Sequence, residues 1–504
     1  GRAKKRFNKE LNPMDALDKG WHNERIDLSE YAGAKVKIMF QNERTQKDGG
    51  VFLKNFAFWG NPVIFKPKKD NDINVILISI DTLRADHLSS YGYSKITSPF
   101  IDKLASHGTL FKNAISQAPW TRPSHMSIFT SLFASSHGIG LEYERKYKNH
   151  KERLPEIIET LPERLKDNGY FTASFNGGGH ISSDYGFSQG FYTYNEQWPH
   201  INESYEPLSR WIRENHDMKF FLFFHAFDVH DYDENHEVGT FKDIISPKDH
   251  KLYIIDKYDS SIKYTDKFVR LLVNDLQELN LLDNTLIVFT SDHGEEFWDH
   301  KKFEHPFNGH SRYLYKSLIN IPLIFYLPGK IPQNKIIDEK AMLIDIYPTI
   351  LDILKITIPK HTQGISLLPL INGDVSSYQK KRPYAFSEEH FVRDRIAVMS
   401  NKYKFILRKE ANKETLSSGN YRKWKVSNLA KEKQSLLFNV KLDPAEQNNI
   451  IAENRDIEKQ MLEEIELLEQ GGRINYMKFH NKNTGKLKID KDTENRLRAL
   501  GYIN

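Results

Sequence analysis

The chain has 504 residues, 72 basic against 67 acidic for a formal net charge of +5, and no cysteine. Charge so nearly balanced argues against a nucleic-acid partner, which would need a clustered basic face. The lack of cysteine excludes disulfides, thiol nucleophiles and cysteine zinc sites, and no apolar run approaches the roughly 18 residues of a membrane span.

The chain starts at Gly1 with Arg2, Lys4, Lys5 and Arg6 close behind and shows no signal-peptide pattern, a start expected from processing or from a preceding segment. Residues 25–29, 34–40 and 51–58 alternate apolar with polar side chains. That period predicts half-buried antiparallel strands, punctuated by Gly49-Gly50 and Gly60-Asn61-Pro62. An N-terminal β-sandwich segment and linker are therefore expected over residues 1–68, with Trp21 and Trp59 in its core and a carbohydrate-binding role as the alternative.

From about Val75 to Leu370, apolar strands alternate with helical patterns such as residues 154–168 and 259–279. The expected fold is α/β, a large, mostly parallel sheet covered by helices, over residues 72–375. Beyond Asn372-Gly373-Asp374 the strands shorten, as at residues 395–399 and 403–407. An amphipathic helix over residues 457–469 follows, expected to stop at Gly471-Gly472. Residues 376–504 thus predict a C-terminal subdomain with a small antiparallel sheet and terminal helices.

Two strands of the central region end in acid. Val75-Ile76-Leu77-Ile78-Ser79-Ile80 breaks at Asp81, and Leu286-Ile287-Val288-Phe289-Thr290-Ser291 breaks at Asp292-His293. Open α/β sheets gather their chemistry beyond the carboxyl ends of the strands, so these residues can converge. Thr121, in Trp120-Thr121-Arg122-Pro123-Ser124-His125, reads as an N-cap with Pro123 in the first turn. The positive end of that helix suits a tetrahedral oxyanion. Asp81, Thr121, Asp292 and His293 make a mixed oxygen and nitrogen set for a divalent cation, which would lower the hydroxyl pKa and make Thr121 a nucleophile.

These motifs resemble the sulfatase and alkaline phosphatase superfamily. Ile80-Asp81-Thr82-Leu83-Arg84, Thr290-Ser291-Asp292-His293-Gly294-Glu295, Leu343-Ile344-Asp345-Ile346-Tyr347-Pro348-Thr349 and Asp443-Pro444-Ala445-Glu446-Gln447-Asn448 stand in the family's order. The sulfatase signature is Cys or Ser, any residue, Pro, Ser, Arg, and Thr121-Arg122-Pro123-Ser124-His125 falls on it. Sulfatases convert that Cys or Ser to formylglycine; with threonine there, no formylglycine is expected. Thr82 replaces the second of the paired sulfatase acids, and His125 replaces the signature Arg.

The resemblance implies a metal-dependent ester hydrolase with one divalent ion, Ca or Mn favoured and Zn or Mg admissible. A second ion would draw on Asp228, His230 and His310. His180, His230 and His310 are the expected catalytic histidines, beside Thr121; Arg122, His125 and Asn176 are the expected substrate-binding residues. His107, His137, His236 and His390 are expected to be structural or solvated. The implied substrate is a small phosphate, phosphodiester or phosphonate ester, on a glycan or lipid, handled in a periplasm or outside the cell. A sulfuric ester hydrolase, a phospho-group transferase and a non-catalytic binding subunit are the alternatives.

Overall fold

The computed structural model describes residues 7–9, 24–42, 62–140, 153–232, 250–300, 313–390, 395–408, 435–480, 491–499 and 503. The chain divides into two units, Gly1–Phe65 and Lys66–Asn504. In the first, the regular structure among the described residues is a single 3-10 turn, Ser29–Tyr31, with the Ser29 amide donating to Asp27 Oδ1 at 2.8 Å. Residues 25–29 and 34–40 do not form the expected strands. Period-2 alternation makes a strand only where a partner supplies the ladder. Residues 51–58, Trp21 and Trp59 lie outside the described residues.

The second unit is built on nine strands: β1 Asn74–Ile80, β2 Thr109–Ile115, β3 Phe171–Phe175, β4 Thr193–Asn195, β5 Phe220–Ala226, β6 Thr285–Thr290, β7 Asn320–Ile321, β8 Leu323–Tyr326 and β9 Lys335–Met342. Their order is β4-β3-β5-β1-β6-β8-β2-β7, with β9 paired to β2. The pairs among β4, β3, β5, β1 and β6 are all parallel, while β8 is antiparallel to both β6 and β2. A smaller antiparallel sheet runs Ala385–Glu389, Arg395–Met399, Tyr403–Arg408, Leu436–Asn439.

The central strands are apolar on both faces because helices cover both. Val75 and Leu77 of β1 pack with Phe221, Phe223, Leu286 and Val288 against Met126, Ile128 and Phe129 of the helix Thr121–Thr130. Ile76, Ile78 and Ile80 pack with Leu222, Phe224, Ile287 and Phe289 against Tyr258 and Ile262 of the helix His250–Glu278. Carried forward with period 2, the first face continues from Val75 and Leu77 to Ser79 and Asp81, and from Phe221 and Phe223 to His225. Polar side chains at the strand ends therefore gather beside the start of the Thr121 helix.

Helix boundaries differ from the sequence reading in several places, and His250–Glu278 starts ahead of the expected residue 259. The pattern at residues 154–168 forms a helix only over Leu161–Asp167, because Thr160 and Glu163 close a capping box there. The helix near the C-terminus runs Arg455–Phe479, straight through Gly471 and Gly472. A Cβ on Gly472 would stand 2.4 Å from Ser135 Oγ, so glycine here admits the helix against Ala134–His137 and does not end it. Among the described residues, no helix is long and apolar enough to cross a membrane.

Candidate functional site

Asp81 follows β1, its amide continuing the ladder to Ala226 O at 3.0 Å. The next residue, Thr82, is held at φ +59°, a left-handed conformation that β-branched residues rarely adopt. Tyr258 braces it by donating its hydroxyl proton to Thr82 O at 2.7 Å, and the turn aims the Thr82 amide at Asp292 Oδ1, 3.2 Å away. Strain of this kind, roughly 1–3 kcal/mol, persists where the surroundings impose it and clusters at functional sites. Here it orients one carboxylate beside another.

Asp292 Oδ1 also accepts from the His293 amide at 2.8 Å, while Asp292 Oδ2 and Asp81 Oδ1 have no hydrogen-bond partner among the described residues. Both carboxylates are fully buried, and neither is paired with Lys or Arg among the described residues. His293 Nδ1 donates to Gly294 O at 2.8 Å, which leaves the Nε2 lone pair facing inward. It stands 3.6 Å from Asp81 Oδ1, 3.5 Å from Asp292 Oδ2 and 3.4 Å from Thr121 Oγ1. The Thr121 hydroxyl donates to Asp81 Oδ2 at 3.4 Å.

Two carboxylate oxygens without hydrogen-bond partners among the described residues, one imidazole lone pair and one hydroxyl are thus held a few ångströms apart, all buried. Unpaired charge is not otherwise stable there, and the donor set fits a divalent cation. Asp81 is held below the usual carboxylate range. Burial works against this, but the neighbouring His225, His230 and His293 outweigh it.

Thr121 is the first residue of its helix, not the cap. Trp120 occupies the cap position with extended backbone (φ −160°, ψ 158°) and makes no side-chain capping bond. The expected cap is off by one residue because Pro123 is accommodated at the third helical position as readily as near the first. The Thr121 hydroxyl is therefore not spent on the helix and turns to Asp81 and His293.

The histidines divide. His180 Nδ1 is 3.2 Å from Arg122 Nη2, and because a guanidinium only donates, the imidazole proton sits on Nε2. Burial, reinforced by Arg122, pushes His180 down to about 4, which favours the neutral ring near pH 7. The Arg122 guanidinium lies 3.7 Å over the Tyr185 ring. His230 behaves oppositely. Burial would lower its pKa, but Asp231, 2.6 Å from Nδ1, and the charges of Asp81 and Glu295 outweigh it and push it up to about 9. Glu295 itself is pushed up to about 8 by burial.

His125 has no exposed surface; Nδ1 meets Thr121 O at 3.0 Å and Nε2 meets Ser79 Oγ at 2.9 Å, so it lies beneath the helix start. Burial pushes it down to about 4 against the pull of Asp292. Asn176 holds its own loop, donating to Ser174 Oγ and accepting from the Gly178 amide. Asp228 Oδ2 accepts the Ile201 amide at 2.8 Å, and burial pushes its pKa up to about 6. His137 is structural, bonded to Ser127 Oγ and the Ile139 amide. His310 and His236 lie outside the described residues.

One site residue escaped the sequence reading. His225 lies on β5 in register with Ser79, its Nε2 is 3.5 Å from Asp81 Oδ2, and its ring meets that of His125 at 4.7 Å, edge to face. Its signal was the alternation Phe221, Phe223, His225, which puts an imidazole on the face that carries Asp81.

The fold and the site together define a member of the sulfatase and alkaline phosphatase superfamily. The sulfatase family model matches residues 73–356, and the chain belongs to that family of hydrolases. The N-sulphoglucosamine sulphohydrolase C-terminal model matches residues 304–416. The chain is 25% identical over 458 residues to arylsulfatase K of Mus musculus, covering 76% of this chain and 77% of that protein. It is 23% identical over 493 residues to the Delta 4,5-hexuronate-2-O-sulfatase of Bacteroides thetaiotaomicron, covering 85% and 94%. The phosphonate monoester hydrolase of Agrobacterium radiobacter shares the fold, with a TM-score of 0.62 at 18% identity over 78% of this chain and 94% of that one.

Proposed function

We propose that the protein is a metal-dependent hydrolase that cleaves an anionic ester in two steps through Thr121, favouring phosphate or phosphonate esters over sulfate esters. The observation that carries this is a threonine hydroxyl, at a helix N-terminus, within 3.4 Å of both Asp81 Oδ2 and His293 Nε2. Asp81, Asp292, His293 and Thr121 would hold the ion. Of Ca and Mn, the two ions that the resemblance favours, the imidazole nitrogen in the set suits Mn better, with Zn or Mg admissible. When bound, the ion supplies charge neutralisation and acidifies the Thr121 hydroxyl.

Thr121 Oγ1, as the alkoxide, forms a bond to phosphorus as the ester P–O bond breaks. The leaving oxygen takes the Nε2 proton of His230, whose Nδ1 proton Asp231 holds. Water then attacks the phosphothreonine, its proton passing to His230, and the alkoxide departs ready for the next cycle. The dipole of the helix Thr121–Thr130, Arg122 and the Nε2–H of His180 favour negative charge on the transferred group.

An unmodified threonine forms a phosphoenzyme but cannot carry the aldehyde-hydrate chemistry of sulfatases. The fold does not choose between the esters, since it serves proteins named for both. The glycan sulfatases among the relatives support a glycan-borne ester, and an export compartment accords with that substrate. The test compares a chromogenic phosphodiester and phosphonate ester with the matching sulfate ester, alongside mass spectrometry of Thr121. Faster cleavage of the phosphorus esters and a phosphothreonine on quenching are expected. Preferential sulfate cleavage would reverse the substrate assignment, and an aldehyde mass at Thr121 would restore formylglycine chemistry.

A further inference from the structure

We propose that Arg84 is a positioning residue for the metal centre. Its buried guanidinium ties the turn after Asp81 to the turn after Asp292-His293 and so sets how far apart the two ligand-bearing strand ends stand. This role rests on the metal-centre reading, since the separation matters only where an ion is held. Strands β1 and β6 are parallel neighbours, but their ladder ends at the pair Ser79 and Thr290. Asp81, Asp292 and His293 all lie beyond it, so their spacing depends on contacts between the two turns.

Those contacts run in series from one turn to the other. The Thr82 amide donates to Asp292 Oδ1 at 3.2 Å and the Leu83 amide to Ser291 Oγ at 3.0 Å, while the Ser291 hydroxyl donates to His293 O at 2.7 Å. Arg84 reaches furthest, donating from Nη1 to Glu295 O at 3.0 Å, past both ligands. A Cβ on Gly294 would collide with Ser317 O and stand 3.2 Å from Arg84 Cγ, so the chain leaving His293 runs closely between the two.

The chemistry of the guanidinium suits this task. Nε and Nη2 grip Asp86, on the same turn as Arg84, at 2.9 Å each. Nη1 also meets Asp299 Oδ2 at 2.7 Å, and Nη2 meets Asp299 Oδ1 at 3.5 Å. A rigid fork of five donors holds both turns at once, which the three rotatable donors of a lysine cannot do. The far arm is backed by the motif Asp443-Pro444-Ala445-Glu446-Gln447-Asn448. Gln447 Nε2 donates to Asp299 O at 3.0 Å, and Glu446 Oε2 accepts the Lys316 amide at 2.9 Å. That amide opens the short helix whose Ser317 and Leu318 carbonyls accept from the amides of Glu295 and Gly294 at 3.1 and 2.8 Å. The C-terminal subdomain thus supports the turn that carries Asp292 and His293.

Charge alone predicts the opposite of positioning, so the sign of the effect decides. A guanidinium repels a nearby cation, and its loss leaves Asp86 and Asp299 uncompensated; by Coulomb's law Arg84→Met would tighten metal binding. The experiment titrates chelator-treated full-length protein with Mn²⁺, without substrate, reading free Mn²⁺ by electron paramagnetic resonance and the fold by circular dichroism. Kd is expected to rise at least about 10-fold in Arg84→Met, the scale on which residues that orient metal ligands act. It should rise by less in Arg84→Lys, which keeps the charge but not the fork. Lys95→Met, which breaks a comparable pairing with Asp256 and Asp259 on the helix His250–Glu278, should leave Kd unchanged. Should Arg84→Met fail to fold, Arg84→Lys decides, since its charge is that of the wild type. An unchanged or lower Kd in the Arg84 variants, or an equal rise in Lys95→Met, overturns the positioning role and leaves the metal centre intact. A wild type that holds no Mn²⁺ overturns the metal-centre reading and this role with it.

Discussion

Three buried aspartates follow apolar segments of this chain, and they fare differently. Asp345 accepts from the amides of Met342 and Ile365 at 2.9 Å each, from the Tyr378 hydroxyl at 3.4 Å and from Arg382 Nη2 at 3.1 Å. Asp81 and Asp292 are as deeply buried, yet among the described residues each leaves one oxygen without a hydrogen-bond partner and faces the other across Thr121 and His293. A buried charge that is fully hydrogen-bonded is structural; one held open among further ligands is poised for a cation. The contrast lies in the partners, not in burial or in the surrounding sequence.

The sharpest way to break the comparison is at Thr121. Thr121→Ala should lower turnover at least about 10³-fold, as loss of a covalent nucleophile does. Its unfolding free energy should move by no more than about 1 kcal/mol, because the hydroxyl caps nothing. Steady-state kinetics and urea unfolding on the same preparation check both. Undiminished turnover would make the open carboxylates a structural accident.

The comparison is sharpened by neutralising Asp345 and Asp292 in turn. Asp345→Ala strands Arg382 and should cost about 3–5 kcal/mol of stability. In chelator, Asp292→Asn should unfold at the same or a higher denaturant midpoint than the wild type, because it removes one of two facing buried charges. Metal should raise the wild-type midpoint and leave that of Asp292→Asn where it was. Equal destabilisation by both substitutions would erase the distinction drawn above.

Much of this was legible in the sequence. Asp81 and Asp292 break long apolar runs, and such breaks mark the carboxyl ends of parallel strands. The alternation of strands and helices implied the layered sheet, whose mixed, mostly parallel order the structure bears out. What was not legible depends on cross-strand and interhelical contact. His225 lies inside a run of phenylalanines, and its role appears only when β5 is set in register against β1. Gly471-Gly472 carries the composition of a helix stop, and only the proximity of Ser135 explains why the helix continues. The strands expected at residues 25–29 and 34–40 had the right period, but alternation does not name a partner.

The smallest predicted effect concerns His230, whose environment lies between the two extremes, since Asp231 satisfies one nitrogen while Asp81 and Glu295 bear on the ring's charge. Its folded pKa of about 9 stands above the ordinary value of 6.5. The charged ring thus stabilises the metal-free fold fully below pH 6.5, and that stabilisation is lost as pH rises through about 9. By the usual conversion the contribution is roughly 1–3 kcal/mol. His230→Gln should therefore be less stable than the wild type at pH 6 in chelator, and the gap should close by pH 9.5. With the ring as acid, kcat for esters of poor leaving groups should show a basic limb in the wild type that the variant lacks, placed below the metal-free value because the ion on Asp81 removes part of what raises His230. A stability gap that stays constant across the range would mean that His230 is not held as an imidazolium, and the proton donor would have to be sought elsewhere in the site.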